Sequence, residues 1–257
     1  MTPAGWLAPA WRIGGIGALM TTRAGGASVG TFATMNVGDA VGDSAAAVRA
    51  NRQRLAEVTG ARPVYLRQVH GARVVTVGAV DAREGAPLHE ADASVTTEAG
   101  VACVVQAADC LPVLLAARNG RAVGAVHAGW RGLAGGVVAE TVDAVCRAAA
   151  CRPDELVAWL GACIGPRSFE VGADVLEAFA VDRSSADAER FRSIRPGKWL
   201  ANLPRLARDR LAAAGVEAVD GADACTVEDA SRFFSFRRDR VTGRMAAAIW
   251  IERDAGH

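Results

Sequence analysis

The side chains best suited to chemistry cluster between Ala107 and Gly132, in the stretch AADCLPVLLAARNGRAVGAVHAGWRG. The runs Pro112–Ala117 and Ala122–Val126 are short and aliphatic, which predicts two buried strands. The polar turn Arg118–Arg121 contains Asn-Gly and favours a hairpin. Cys110 stands just before the first strand and His127 at the end of the second. A hairpin sets these positions side by side, so a thiol and an imidazole meet at one rim of a sheet. Ala-Gly-Trp-Arg-Gly follows His127, and helical periodicity then runs from Leu133 to about Ala149. A helix start beside the pair offers free N–H groups to an anion or oxyanion.

Three readings of Cys110 and His127 compete. In the first they ligate a metal and need a third donor. His70, in Arg-Gln-Val-His-Gly at 67–71, also sits at a strand end before glycine and is the best candidate. One Cys and two His suit zinc or copper, and three protein ligands leave a position for water or substrate. In the second, Cys110 is a nucleophile and His127 its base. In the third, Cys110 is a small buried hydrophobe and the histidines are structural. The donors are far apart in sequence and match no compact zinc pattern, so spacing leaves all three open. His89, in a polar loop, and the terminal His257 carry no such signal.

The elements that must position these residues alternate along the chain. A strand is expected over Gly14–Thr22, then a Gly/Ser/Thr-rich segment to Asp43 that offers the polar groups Arg23, Asn36 and Asp39, of which Arg23 and Asn36 are candidates for binding substrate. Long loops inside compact domains are usually functional, although an ordinary surface loop is the plainer alternative. A helix follows over Ala45–Val58, with Ser44 as N-cap and Gly60 as the stop. Strands are expected at Val64–Leu66, Arg73–Val77, Asp92–Thr96, Val101–Gln106 and Leu156–Leu160. The later chain predicts helices over Val171–Ala180 and Asn202–Ala214, an irregular segment over Arg183–Gly197, and a last strand over Met245–Ile251. The alternation predicts an α/β protein, and no linker or repeat divides residues 1–257 into more than one domain.

Composition narrows the function classes. Lys+Arg 29 against Asp+Glu 28 is nearly neutral, and no basic stripe is interleaved with aromatics, so nucleic acid is not an expected partner. No stretch approaches the ~18 uninterrupted apolar residues of a membrane span, and the N-terminus lacks the pattern of a secretion signal. A cytoplasmic protein with reduced thiols is the expectation, since the six cysteines show no paired CxxC spacing.

Five motifs together resemble the YfiH-like laccase-domain family, also called multicopper polyphenol oxidoreductases and now treated as purine nucleoside phosphorylases. They are QVHG at 68–71, ADCLP at 108–112, HAGWRG at 127–132, the Ile-Gly-Pro and Phe-Glu-Val-Gly block at 164–172, and FFS, RRD and TGR within 233–244. The matches run from about Thr21 to Ile251. The resemblance implies a layered α/β/β/α sandwich with mixed sheets and a metal site at His70, Cys110 and His127. It also implies zinc, or copper, as cofactor. The implied activities are phosphorolysis of adenosine, inosine and guanosine, cleavage of methylthioadenosine, and adenosine deamination. Phosphate and purine nucleosides are then the partners.

Within that reading a metal held by the three residues can polarise a purine atom or activate water. Phosphorolysis also needs a cation for phosphate. Arg131, Arg237 and Arg238 are the candidates, because guanidinium binds phosphate bidentately. Asp109, next to Cys110, is either an acid/base or the partner that orients a ligating histidine. Trp130 offers a face for a purine. Two positions depart from the family pattern: Phe236 replaces a frequent Tyr, and Asn202 stands where Asp is expected. Two other activities stay open, a Cys110–His127 hydrolase of amides and a copper-dependent polyphenol oxidase. Four histidines are few for several coppers.

Overall fold

The computed structural model describes residues 3, 5–181 and 187–253. The chain enters β1 (Ile16–Met20), crosses the glycine-rich segment and forms α1 (Ala45–Thr59). Strands β2 (Arg62–Val64), β3 (Val74–Thr76), β4 (Ala93–Thr96), β5 (Val101–Ala107), β6 (Leu111–Ala117) and β7 (Val123–Ala128) follow. Next come α2 (Trp130–Ala134), α3 (Val137–Ala149), β8 (Leu156–Leu160), β9 (Glu170–Val171) and α4 (Ala173–Ala178). The chain closes with β10 (Phe191–Arg195), β11 (Lys198–Ala201), α5 (Leu203–Ala213), β12 (Ala218–Gly221), α6 (Phe236–Asp239) and β13 (Met245–Ile251).

Two mixed sheets form the body. One has the order β1-β13-β5-β2, the other β12-β8-β6-β7-β4-β3, and β10-β11-β9 make a small third sheet. Side-chain alternation explains the layers. Along β13, Met245, Ala247 and Ile249 join the core between the two large sheets, while Ala246, Ala248 and Trp250 pack outward with Leu55 of α1. Along β6, Leu114 and Ala116 face the first sheet, and Val113 and Leu115 face Val142 of α3 and Leu206 of α5. Strands buried on both faces read as continuous apolar runs, which is how β6 and β7 appear in sequence. The result is the expected α/β/β/α sandwich. Each Leu or Val fully buried in these layers contributes roughly 1.5–3 kcal/mol.

The structure moves several boundaries. The helix expected from Leu133 begins at Trp130 and is interrupted at Gly135–Gly136, where Gly136 takes φ 95°. The helix after His127 is therefore a short α2, with the long α3 beyond it. Ser44 precedes α1 without a side-chain cap bond, whereas Gly60 ends it at φ 64°. Of the segment expected to be irregular, 183–186 lies outside the described residues, and Phe191–Arg195 pairs antiparallel with β11. Most of β10 is exposed, so it lacks the apolar alternation that announces a strand. Asn202 Oδ1 accepts from the Arg205 N–H at 3.1 Å, so this side chain caps α5. His257 lies outside the described residues. Among them, no helix is long and apolar enough to cross a membrane.

Candidate metal centre and active site

The hairpin sets the first two donors. β6 and β7 pair antiparallel with Leu111 opposite Ala128 and Pro112 opposite His127, which brings Cys110 to the rim beside His127. His70 arrives from the loop between β2 and β3. Its Nε2 lies 3.8 Å from Cys110 Sγ, and its ring meets that of His127 edge-on with centroids 4.8 Å apart. One ligand atom from each residue lies within 4.8 Å of the others. Tetrahedral zinc holds such N and S atoms about 3.4–3.7 Å apart, given its 2.0–2.3 Å bonds. Two imidazoles and a thiolate at this spacing fit zinc or copper after a small inward movement of the side chains.

Asp92, which the sequence presents only as the start of a strand, organises the donors. Its carboxylate is fully buried. Oδ1 accepts from His127 Nδ1 at 2.8 Å and the His70 N–H at 2.9 Å, while Oδ2 accepts the N–H groups of Val69 at 3.2 Å and Gly71 at 2.7 Å. A carboxylate can only accept here, so Nδ1 of His127 carries the proton and Nε2 is left with a lone pair for metal. The same carboxylate holds His70 at φ 62°, a left-handed backbone that costs a non-glycine residue roughly 1–3 kcal/mol. Burial alone would raise the Asp92 pKa, but the His127 and backbone hydrogen bonds hold it below the ordinary carboxylate value.

Two glycines let the loops meet. A Cβ on Gly129 would lie 3.0 Å from both Cys110 Sγ and His70 Cδ2, and one on Gly132 would lie 2.6 Å from the Gly71 carbonyl oxygen. Glycine is therefore required where the HAGWRG and QVHG segments touch. The Cys110 thiol is partly buried, and that desolvation by itself raises its pKa. The His127 charge, hydrogen bonds from both imidazoles and the His70 charge outweigh burial and pull it down. His127 shifts the other way: burial disfavours its charge, but Cys110 and Asp92 raise it. All six cysteines are free thiols, and burial raises Cys103, Cys146 and Cys163.

The three donors line a cavity of about 760 Å³, within the usual size of small-molecule sites. Trp130, Phe169, Leu203 and Phe236 supply apolar wall, and Arg67, Arg131, Arg237 and Arg244 supply positive charge. Arg131 stacks on Trp130 at 4.2 Å. Arg237 donates to the Glu170 carbonyl at 3.0 Å, and Phe236 is half-exposed at the rim. A smaller cavity of about 410 Å³, lined by Cys163, Cys225 and Arg167, lies elsewhere and shares no residue with this one.

The remaining expected site residues have other places. Asp109 is not the histidine's partner. It stands at φ 98°, and its carboxylate accepts from Thr226 Oγ1 and the Arg237 N–H, each at 2.6 Å. Arg238 does not line the cavity. Its guanidinium donates to the carbonyls of Thr226, Val227 and Phe233 and to Asp239, which commits it to holding the 226–239 segment. Arg23 also stays outside, bonded to the Ala33 and Ala230 carbonyls. Asn36 is buried and bonds to Gly38, Asp43 and the Arg244 N–H. His89 bonds Asp81 at 2.7 Å, away from the metal donors. Arg244 was not singled out from the sequence; only its place in the TGR motif pointed to it.

These features define a layered α/β protein with a Cys–His–His donor set under a cationic cavity. The family model described as multi-copper polyphenol oxidoreductase laccase matches residues 17–252, and the chain belongs to that family. It is 45% identical over 243 residues to "Purine nucleoside phosphorylase YfiH" of Escherichia coli (strain K12), covering 92% of this chain and 94% of that one. It is 42% identical over 248 residues to "Purine nucleoside phosphorylase" of Haemophilus influenzae, covering 95% and 98%. Among solved structures, Neisseria meningitidis protein NMB0706 superposes with a TM-score of 0.88 at 44% identity, covering 97% of this chain and all of that one. YlmD from Geobacillus stearothermophilus superposes with a TM-score of 0.89 at 34% identity, covering 98% of each.

Proposed function

We propose that residues 1–257 act as one metal-dependent purine nucleoside phosphorylase, taking adenosine, inosine, guanosine and methylthioadenosine, and deaminating adenosine as a second reaction. The observation that carries this reading is the juxtaposition of His70, Cys110 and His127 with the cavity arginines. It is supported by the names of the relatives. Zinc is the proposed metal and copper the rival, both compatible with this donor set. Bound there, the metal supplies Lewis-acid polarisation of a substrate atom.

The chain's own residues do the rest. Trp130 and Phe236 give apolar faces against which a purine can stack. Arg131 and Arg237 attract phosphate and screen its charge. A phosphate oxygen then forms the bond to ribose C1′ as the bond from C1′ to the purine nitrogen breaks, and the base leaves with the bonding electrons. Asp109 acts by position: its two hydrogen bonds fix the start of α6 and hence Arg237. The free thiols fit a reducing compartment, and we place the protein in the cytoplasm.

The test is product analysis. Zinc-loaded protein is incubated with each nucleoside with and without phosphate, and base, sugar and sugar phosphate are identified. Phosphate-dependent sugar phosphate supports the assignment; free ribose formed without phosphate overturns it. One observation favours a second reading. Cys110, His127 and Asp92 form a thiol–imidazole–carboxylate series, with the thiol pKa pulled down. A cysteine amide hydrolase built this way needs no metal. Amide cleavage that survives complete metal removal would favour it.

A further inference from the structure

We propose that Arg244 is the anchoring residue of the phosphate subsite, a partly buried guanidinium kept free for a phosphate dianion and held in place by Asn36 and Gly38. The proposal rests on the phosphorylase reading and adds to it the residue that holds the co-substrate.

The charges lining the cavity show why. Four arginines line it, Arg67, Arg131, Arg237 and Arg244, against the carboxylates of Asp39 and Asp109. Both carboxylates are engaged, Asp39 with Arg52 at 3.0 Å and Asp109 with Thr226 and the Arg237 N–H. The cavity therefore carries an excess of positive charge. Arg67 and Arg131 are exposed, and water can solvate them. Arg237 spends part of its fork on Glu170. Arg237 and Arg244 are both partly buried with one guanidinium nitrogen engaged, but the Arg237 guanidinium also lies over the Phe169 ring, 5.6 Å from its centroid. Arg244 donates through one nitrogen to the carbonyls of Thr242 and Gly243 at 3.1 Å each. Among the described residues, its Nε and second terminal nitrogen have no hydrogen-bond partner and no carboxylate pairs with it. Burial holds its pKa below the ordinary arginine value, with the charges of Cys110 and Asp109 opposing. A partly desolvated guanidinium without a counter-ion favours an anion beside it, and its planar fork matches two phosphate oxygens.

The surroundings are built to hold this side chain. Asn36 Oδ1 accepts both the Gly38 N–H and the Arg244 N–H at 2.8 Å, while its Nδ2 donates to the Gly38 carbonyl and to Asp43. One buried amide thus joins the glycine-rich segment to the strand entering β13. A Cβ on Gly38 would lie 2.8 Å from Arg244 Cγ and 3.2 Å from its Cβ. Glycine at 38 is what lets the arginine stem pass. Asn36, expected from sequence to bind substrate, is on this account a positioning residue acting through Arg244.

The experiment uses zinc-loaded full-length protein and three variants. Arg244→Met removes the fork but keeps the stem. Arg244→Lys keeps a charge without the fork. Gly38→Ala keeps the arginine but crowds its stem. Inorganic phosphate is titrated against chloride at matched ionic strength while the melting temperature is followed, and the KM for phosphate and for nucleoside are measured separately. Wild type should show a saturable phosphate shift. Arg244→Met should lose it and raise the phosphate KM about tenfold or more, with the nucleoside KM within about twofold and zinc content unchanged. Arg244→Lys and Gly38→Ala should move in the same direction by less, and they carry the test should the Met variant fail to fold. A wild-type protein without a phosphate shift, or variants with wild-type phosphate dependence, would overturn the proposal. A shift given by a nucleoside 5′-monophosphate but not by inorganic phosphate also overturns it. An Arg244-dependent phosphate shift in a protein that cleaves no nucleoside upholds the anion subsite and removes the phosphorylase reading.

Discussion

Replacing Asp92 by asparagine should damage the metal centre from behind, without touching a donor atom. Asp92 receives four donors through two oxygens: His127 Nδ1 and the His70 N–H at Oδ1, the Val69 and Gly71 N–H groups at Oδ2. Asparagine has one acceptor oxygen, so it can serve only one side. With the oxygen toward His127, the amide NH2 confronts the Val69 and Gly71 N–H groups and the loop carrying His70 loosens. With the amide flipped, His127 loses the acceptor that keeps Nε2 free for metal. Loss of such an orienting partner lowers metal affinity about 10–100-fold, or ~1.4–2.8 kcal/mol. Both histidines are affected, so the upper half of that range is expected. A buried donor left unpaired costs about 1–3 kcal/mol, so the metal-free protein should melt several degrees lower, at about 2–4 °C per kcal/mol for a chain of this size. Competition against a chromophoric zinc chelator reads the affinity, and a thermal melt of the stripped protein reads the second effect. An Asp92→Asn protein that holds zinc within about twofold of wild type would refute the account of how the donors are positioned.

Three further outcomes follow from the same geometry. Gly129→Ala puts a methyl 3.0 Å from Cys110 Sγ and His70 Cδ2, so elemental analysis should find sub-stoichiometric metal in a protein whose far-ultraviolet dichroism is unchanged. In metal-stripped protein Cys110 should be the first thiol alkylated by iodoacetamide. Its pKa is depressed by His127 and His70 against the opposing effect of burial, so its rate should plateau above neutral pH while the raised thiols Cys103 and Cys163 keep accelerating; mass spectrometry of digests decides. Arg237→Ala and Arg131→Ala should each cut phosphate-dependent kcat/KM about tenfold or more through a lost charge-assisted hydrogen bond, whereas Arg238→Ala should lower the melting temperature and leave the phosphate KM in place.

Legibility in the sequence followed physical range. Elements whose own periodicity carries the signal were readable: β8 and β13 fall on their expected bounds, and α1 extends one residue beyond them. Strand β10 was not, because four of its five residues face solvent and its pairing partner supplies the regularity. The Cys110–His127 neighbourhood was legible because a hairpin is local and an Asn-Gly turn fixes its register. His70 could be named from its strand-end position only as the best candidate for a third donor, and the family resemblance singled it out, since the loop that carries it is brought in by tertiary contact. Asp92 was hidden for a different reason. A carboxylate at the head of an apolar strand looks like a strand boundary, and only the fold shows that three backbone N–H groups and an imidazole converge on it. Arg238 shows the converse error. Its type suited phosphate, but three backbone carbonyls had already taken its fork.

The donor inventory also bears on the oxidase chemistry in the family's description. Several coppers in one protein need many imidazoles, and this chain has four histidines. One is His257, outside the described residues. Another, His89, is bonded to Asp81, leaving His70 and His127 for metal. His70, Cys110 and His127 are the one group of three such donors found among the described residues. That supply suits a single ion. A single ion under a cavity of arginines and aromatic faces suits a polar, anion-assisted displacement better than electron transfer among coppers. Metal analysis of protein purified without chelator states the issue as a number. One equivalent of zinc or copper agrees with the donor count, whereas three or more equivalents of copper would require ligands that the described residues do not provide.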